Sequence, residues 1–390
     1  MKKVIITGFI KTSSPLHISA PSSARFNPET GDKTYGDKNA GVPLTCIQTI
    51  GIPGVFSSHD QESGEVAVKA GLVPVPVFSG NNDSGRLRRT IADVFLEALQ
   101  ALGEKVDIST YSAIKCGAAT GSPDGLPIVY DEYRKASDHP FLGLLGGGPR
   151  LIKRKAVIHN AVALCNESRD LLNRSRIPYD KIYGAWEQVL APYMLPLSAR
   201  KLVGIWSFRR TDDLRDLVGI TTAEKSVENF QQAFVERQAA IIDEWKNKKD
   251  GDASKSKTSL FTFQAMEFVV PGVSFPFVAV LNKPTDAQVG LWLRGFERFC
   301  QTESIGGWGR NGFGNFTFEE GRLATMDDDG AVEAERYNPA DPETEEGTYR
   351  TTAVSAWADS AEHITADEIK WLMRLPAEKQ DRTKTKKAAK

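Results

Sequence analysis

The chain has 390 residues, 41% of them hydrophobic and 25% charged, with a formal net charge of −1. That balance describes a globular protein of one elaborated or two ordinary domains and excludes a uniformly basic nucleic-acid binder. No apolar run reaches the roughly 18 residues of a membrane span, the start MKKVIITGFIKTSSP is too short and β-like for a secretory signal, and the scattered Cys46, Cys116, Cys165 and Cys300 suit neither zinc nor disulfides. A cytoplasmic protein without metal, cofactor or membrane partner is therefore expected.

In chain order, VIITGFIK predicts a strand that continues through SSPLHIS. Residues 20–45 are rich in Gly, Pro, Asn, Asp and Lys and predict a long loop. GLVPVPVFSGNNDSG is extended, with prolines that forbid a central strand position nearby. A helix follows, with Asp83 or Ser84 as N-cap and Leu87, Ile91, Val94 or Phe95, Ala98 and Leu102 as its buried stripe. LGLLGGGPR predicts a turn and RKAVIHNAVAL a strand; an Arg-rich polar region then spans 166–220. From about Thr222, Val227, Phe230, Phe234, Ile241 and Trp245 share one helical face, and Thr221 with Glu224 forms a capping-box pattern.

After the charged linker KNKKDGDASKSK come two β segments, SLFTFQAMEFVV and VSFPFVAVLN, joined by the turn signal PG. Val289, Leu293, Phe296 and Cys300 recur at helical spacing, and FGNFTFEE alternates like a strand. The acidic stretch 327–346 predicts a linker. A last helix is expected after Thr365, where Thr365 and Glu368 repeat the capping box, and a basic tail closes the chain. The core succession is strand, helix, strand, strand, helix, strand. It predicts an α+β fold with a ferredoxin-like, RNA-recognition-type palm built on a split βαβ unit, elaborated by large insertions.

Three stretches carry chemistry. GGWGRNGFGNF at 306–316 contains G-x-G-x-x-G, but a helix precedes it and a strand follows. That order is the reverse of a dinucleotide site. SGNNDSGRLRR at 79–89 has glycines spaced as in a phosphate loop but lacks its lysine and metal-binding hydroxyl. Arg86, Arg88 and Arg89 in the first turn of a helix oppose its dipole, a misfit that a bound phosphate would remove; the bland alternative is three solvated arginines. WSFRRTDDLRD places Trp206 and Phe208 beside Arg209 and Arg210. That pattern suits base stacking with phosphate contacts and equally suits a strand packed in a core. His17 has no acid–base partner nearby in sequence, and Asp32 and Asp37 read as turn formers.

Taken in order, PLHIS, VPVFSGNNDSGRLRR, LGLLGGGPRLIKRKAVIHNA, SLFTFQAMEFVVPGVSFPFVAVL and GGWGRNGFGNF resemble the RAMP superfamily of CRISPR proteins. The nearest likeness is the backbone subunit that polymerises along guide RNA, in its type IV version. The resemblance covers roughly residues 1–320. It implies a palm with fingers at about 20–78 and a thumb and helical insertion at about 166–258, leaving 321–390 as acidic linker, helix and basic tail. It implies RNA contacts by Gly307, Trp308, Gly309, Arg310, Gly312, Phe313 and Gly314, and by Ser79, Asn81, Ser84, Gly85, Arg86, Arg88 and Arg89. The strand end adds His17 and Ser19, the basic run RLIKRK adds Arg154, and the thumb, near 198–220, adds Trp206, Phe208, Arg209 and Arg210. The implied partners are guide RNA, target nucleic acid through guide pairing, further copies head-to-tail, a foot-capping RAMP subunit, large and small subunits, and a helicase. The alternatives are an RNA endonuclease of the same superfamily, using His17, Asp32 or Asp37, and a nucleotide-binding enzyme using Gly80–Gly85 or Gly307–Gly312. No catalytic residue is assigned.

Overall fold

The computed structural model describes residues 2–27, 30–35, 42–59, 66–117, 130–147, 152–173, 175–210, 236, 262–342 and 347–373. In chain order the elements begin with β1 (Lys3–Thr12), β2 (Ser19–Phe26), β3 (Lys33–Thr34), β4 (Val42–Ile47), β5 (Thr49–His59) and β6 (Val66–Phe78). Then come α1 (Gly80–Ala101), α2 (Ile108–Cys116), α3 (Tyr130–Asp138), α4 (Pro140–Leu145), β7 (Ala156–Ile158) and β8 (Ala161–Val162). The short helices α5 (Arg169–Asn173), α6 (Tyr179–Tyr183) and α7 (Trp186–Leu190) precede β9 (Val203–Arg210). The rest is β10 (Thr262–Val269), β11 (Ser274–Asn282), α8 (Asp286–Thr302), β12 (Phe316–Met326), β13 (Val332–Arg336), α9 (Thr348–Ala361) and α10 (Ala366–Met373). Among the described residues no helix is long and apolar enough to cross a membrane.

The chain divides into two units, residues 1–19, 47–203 and 269–390 in one and 20–46 and 204–268 in the other. The larger unit is built on a five-stranded sheet of order β13-β12-β1-β11-β7. β1 lies between two antiparallel neighbours, with Val4 opposite Leu281 and Ile10 opposite Phe275 on one side and Thr12 opposite Phe316 on the other. This central position explains its nearly unbroken apolar run, since both faces must be buried. On one face Val4, Ile6 and Ile10 join the core formed with α1 and α8. On the other, Ile5 and Phe9 pack with Tyr179, Ile182 and Trp186, and Phe9 stacks on Tyr193 at 4.0 Å between ring centres. The sheet is thus covered on both sides, and neither face is an open platform for bases.

α1 and α8 pack closely because Gly295 has no side chain: a Cβ there would come within 2.2 Å of Ile91. α8 starts at the capping box of Thr285 and Gln288, and Val289, Leu293 and Phe296 are wholly buried as their spacing predicts. The N-cap of α1 is Ser79, four to five residues before the expected one, and its buried line is Leu87, Ile91, Phe95 and Leu99; Leu102 lies past its end and is exposed.

Several expectations need correction. β10 and β11 are joined across the PG turn as expected, but they enter different sheets. β11 pairs with β1 and β7 in the large sheet, whereas β10 joins the sheet β3-β2-β4-β10-β9. Residues 20–45 include three strands of that second sheet, β2, β3 and β4, in place of a loop. Their polar composition is tolerated because the core there is small: among the described residues Ala24, Leu44, Cys46 and Ala265 form it, with Ala20, Phe26 and Val42 against it, beside a 2.6 Å ion pair of Lys33 with Glu267. The expected linker 327–346 contains β13, paired with β12 from Arg322–Arg336 to Met326–Val332. α9 was not expected. It buries Arg350, Ala353 and Trp357, and Arg350 Nε donates to the buried Glu297 carboxylate at 2.8 Å. The prolines do not keep their segment from a central position: β6, with Pro74 and Pro76, is the middle strand of the sheet β5-β6-β8, and it accommodates them because β8 pairs with Val77 and Phe78, beyond the prolines. The amphipathic helix expected from Thr222 lies outside the described residues except for Glu236, as do Asp37, residues 211–220 and the tail from 374.

Candidate nucleic-acid interface

The glycine loop follows α8 and leads into β12. Gly306, Trp308, Gly312 and Gly314 all have positive φ, from 63° to 81°. Glycine adopts that backbone freely; Trp308 adopts it at a cost of about 1–2 kcal/mol. A short helical turn at Gly309–Asn311 closes the loop, with Gly312 N–H donating to Gly309 O at 3.0 Å. A Cβ on Gly314 would fall 1.9 Å from Ile305 O, and one on Gly306 2.5 Å from His17 O, so these two glycines serve close packing of the loop itself. Gly309 is less confined, its nearest obstacle being the Ser304 hydroxyl.

Two contacts from distant parts of the chain hold this loop. Gly307 N–H donates to His17 O at 2.7 Å, extending the end of the first strand segment into the loop. The Arg86 guanidinium, projecting from the second turn of α1, donates to Ser304 O and Gly306 O, with Glu303 at 3.8 Å. Three stretches more than two hundred residues apart in part, PLHIS, 79–89 and 304–314, therefore form one hydrogen-bonded cluster. Ser19, Asn81, Arg89, Trp308, Gly309, Arg310 and Gly312 are exposed on it.

Three expected contacts are turned inward. Arg88 is buried and donates to four carbonyls: Ile114 O at 2.8 Å, Ala113 O at 3.2 Å, Leu145 O at 3.1 Å and Gly146 O at 3.0 Å. These carbonyls lie at the ends of α2 and α4, where a helix leaves carbonyls unpaired; Ala113 O also accepts from Gly117 N–H at 2.9 Å. Burial lowers its pKa to about 10. Phe313 is buried, and His17 is fully buried with Nε2 in a 3.0 Å hydrogen bond with Ser19 Oγ. Arg86 is only partly accessible and committed to the loop, so with Arg88 buried the alternative of three solvated arginines does not hold.

At the start of α1, Ser79 makes no side-chain cap. Asn160 Oδ1 accepts from Gly80 N–H at 2.9 Å instead, a role that no local sequence pattern announces. Gly80 is required there, because a Cβ would meet Ile158 O at 2.2 Å. Ser84 Oγ bonds back to Gly80 O at 2.6 Å, and Gly85 borders open space. Arg154 is exposed on the segment leading into β7. In the smaller unit Trp206 is 42% exposed on β9. Phe208, Arg209 and Arg210 continue that strand, with side chains outside the described residues. Asp32 is exposed, and among the described residues no three His, Cys, Asp or Glu lie close enough together to hold a metal ion.

No family model matches the chain, and no curated protein matches it. Among solved structures it is similar to a chain described as "Type IV-B CRISPR Complex". The identity is 12% and the TM-score 0.37, over 85% of this chain and 90% of that one.

Proposed function

We propose that the chain is the guide-RNA-binding backbone subunit of a multi-subunit CRISPR ribonucleoprotein. Its five-stranded sheet would be a ferredoxin-like palm: β1, α1, β7, β11, α8 and β12 follow the β-α-β-β-α-β succession of that palm. The observation that carries the reading is the tie of Arg86 and His17 to the glycine loop. It joins the segments that the resemblance assigns to RNA and leaves a polar, aromatic and cationic surface on them.

RNA would run along this cluster and not over the covered sheet faces. Exposed Gly309 and Gly312 allow a sugar–phosphate chain to approach the backbone. Arg310, Arg89 and Arg154 pair phosphates, and Trp308 offers a stacking face. The protein would supply position and charge while the guide's base pairing reads the target. Copies would add head-to-tail, a heterologous contact that leaves an open filament, alongside the other effector subunits. The reading is of a binder, not a nuclease.

The test is direct. Nucleic acid copurifying with the protein should be RNA of one recurrent guide sequence class. Log affinity for single-stranded RNA should fall linearly with log salt concentration. An affinity indifferent to salt would overturn the proposal, and magnesium-dependent cleavage abolished by Asp32→Ala would replace it with the endonuclease reading.

A further inference from the structure

The proposed RNA surface depends on where the first turns of α1 stand, because the Arg86 guanidinium that donates to Ser304 O and Gly306 O leaves from there. Farther along, the helix is fixed by packing: Ile91, Phe95 and Leu99 are buried, and Ile91 lies against Gly295 of α8. The two turns before Leu87 are seated differently. Asn81, Ser84 and Gly85 line a cavity of about 490 Å³, whose lining also includes Trp292 of α8 and Ala156 and Ile158 of β7. A Cβ on Gly85 would meet nothing within 4 Å. Groups that border a void lack the partner atoms that hold a well-packed helix in place, so this end depends on hydrogen bonds.

Asn160 supplies one of them, and it does so from the sheet. Its Oδ1 accepts from Gly80 N–H at 2.9 Å, while Ser79, the residue that would cap the helix locally, makes no side-chain cap. The absence of a side chain at Gly80 lets Ile158 O lie close against the same residue. Asn160 stands in the turn between β7 and β8, and that turn is tied to β11 by His159 N–H, which donates to Val278 O at 3.0 Å. A serine cap from the residue before the helix would satisfy an N–H group without fixing where the helix stands. An acceptor from the turn after β7 fixes the helix end relative to the sheet.

We infer that Asn160 is a positioning residue for the RNA surface. Through Gly80 it sets where the start of α1 stands over the cavity, and thereby whether Arg86 reaches the two carbonyls by which it holds the glycine loop. It acts through the backbone of α1 and touches no RNA itself. The coupling to the loop belongs to the fold; its effect on RNA rests on the function proposed above.

Three variants of the full chain test it. Asn160→Ala removes the acceptor at an exposed position and so leaves no void. Asn160→Asp keeps an acceptor and adds a negative charge, which a helix start accommodates. Gly80→Ala leaves Asn160 intact and lifts the helix end, since its Cβ would meet Ile158 O at 2.2 Å. Hydrogen–deuterium exchange of peptides covering 304–314, with peptides of α9 as the control for folding, reads the coupling without RNA. Titration of a short oligoadenylate reads its consequence. Loss of one hydrogen bond corresponds to about fivefold in an equilibrium. Asn160→Ala and Gly80→Ala should therefore speed loop exchange and weaken RNA binding by about fivefold each, with α9 exchange constant, and Asn160→Asp should match the wild type in both.

An Asn160 that served only helix stability would change exchange at the start of α1 and leave both 304–314 and RNA affinity as they are; that result overturns the inference. When the wild type binds RNA, one readout moving without the other overturns it as well. So does an Asn160→Asp protein that binds RNA more weakly than Asn160→Ala, because Asn160 would then meet phosphate directly. Loop exchange that responds in a chain whose wild type binds no RNA supports the coupling and overturns the proposed function. Where Asn160→Ala is too unstable to assay, Gly80→Ala decides on the same two readouts.

Discussion

The start of α1 and the glycine loop have similar compositions, with glycines, arginines and small polar residues, but the fold uses them in opposite ways. At 79–89 two of the three arginines point into the protein. Arg88 gathers the ends of α2 and α4, and Arg86 grips the loop. At 306–314 two glycines are consumed by packing while Trp308 and Arg310 stay outside. Exposure and committed hydrogen bonds, not residue type, separate a binding arginine from a structural one.

Substitutions can break this contrast. The largest effect is expected from Arg88→Ala, which removes the guanidinium donors from the carbonyls of Ile114, Leu145 and Gly146 and one of two donors from that of Ala113. It should cost about 3–5 kcal/mol in chemical denaturation, and Arg88→Lys should rescue little, since an ammonium cannot span the same fork. An Arg88→Ala protein of unchanged stability would show that this residue belongs to the outer set.

His139 probes the same inner region through pH. Its Nδ1 accepts from Phe141 N–H and Leu142 N–H, capping α4, and burial lowers its pKa from 6.5 to about 4. The neutral form is favoured in the fold, so its contribution is complete above about pH 6.5 and is lost as pH falls toward 4. The loss is about 3 kcal/mol at most. Denaturation midpoints of wild type and His139→Asn should diverge above pH 6.5 and converge near pH 4; parallel curves would remove His139 as the titrating group.

Arg86→Ala should be destabilising by about 1–2 kcal/mol and should also weaken RNA binding by loosening the loop. Arg89→Ala should leave stability within about 0.5 kcal/mol and reduce the salt slope of RNA affinity by about 1. If the two variants behave alike, the distinction between gripping and exposed arginines fails. The smallest stability effect belongs to Trp308→Gly. Relief of the left-handed backbone should offset the lost contacts, so melting should change little while RNA affinity falls by about 1–3 kcal/mol if the ring stacks on a base. Unchanged affinity would remove Trp308 from the interface.

Local physics made much of the fold legible. α1 and α8 come from apolar residues at helical spacing, and β1 and β11 from short, nearly continuous apolar runs buried on both faces. Of the two capping-box patterns in the sequence, Thr365 marks a real helix start, its hydroxyl accepting from Glu368 N–H at 3.3 Å, while Thr221 with Glu224 lies outside the described residues; the box of Thr285 and Gln288 emerges from the structure. The spacing of Arg350, Ala353 and Trp357 was a helical signal for α9 that a polar, weakly one-sided surface obscured. Tertiary structure alone decided the rest. That β10 and β11 enter different sheets depends on two separate partners more than two hundred residues earlier in the chain, β4 for one and β1 for the other. That Arg88 is internal depends on carbonyls of α2 and α4 reaching it, and that Trp292 borders a cavity depends on how α1 and the segment before β7 lie against α8. Periodicity reports which side of an element is buried. It does not report which distant backbone group arrives there, because hydrogen-bond satisfaction is settled only when the elements have packed.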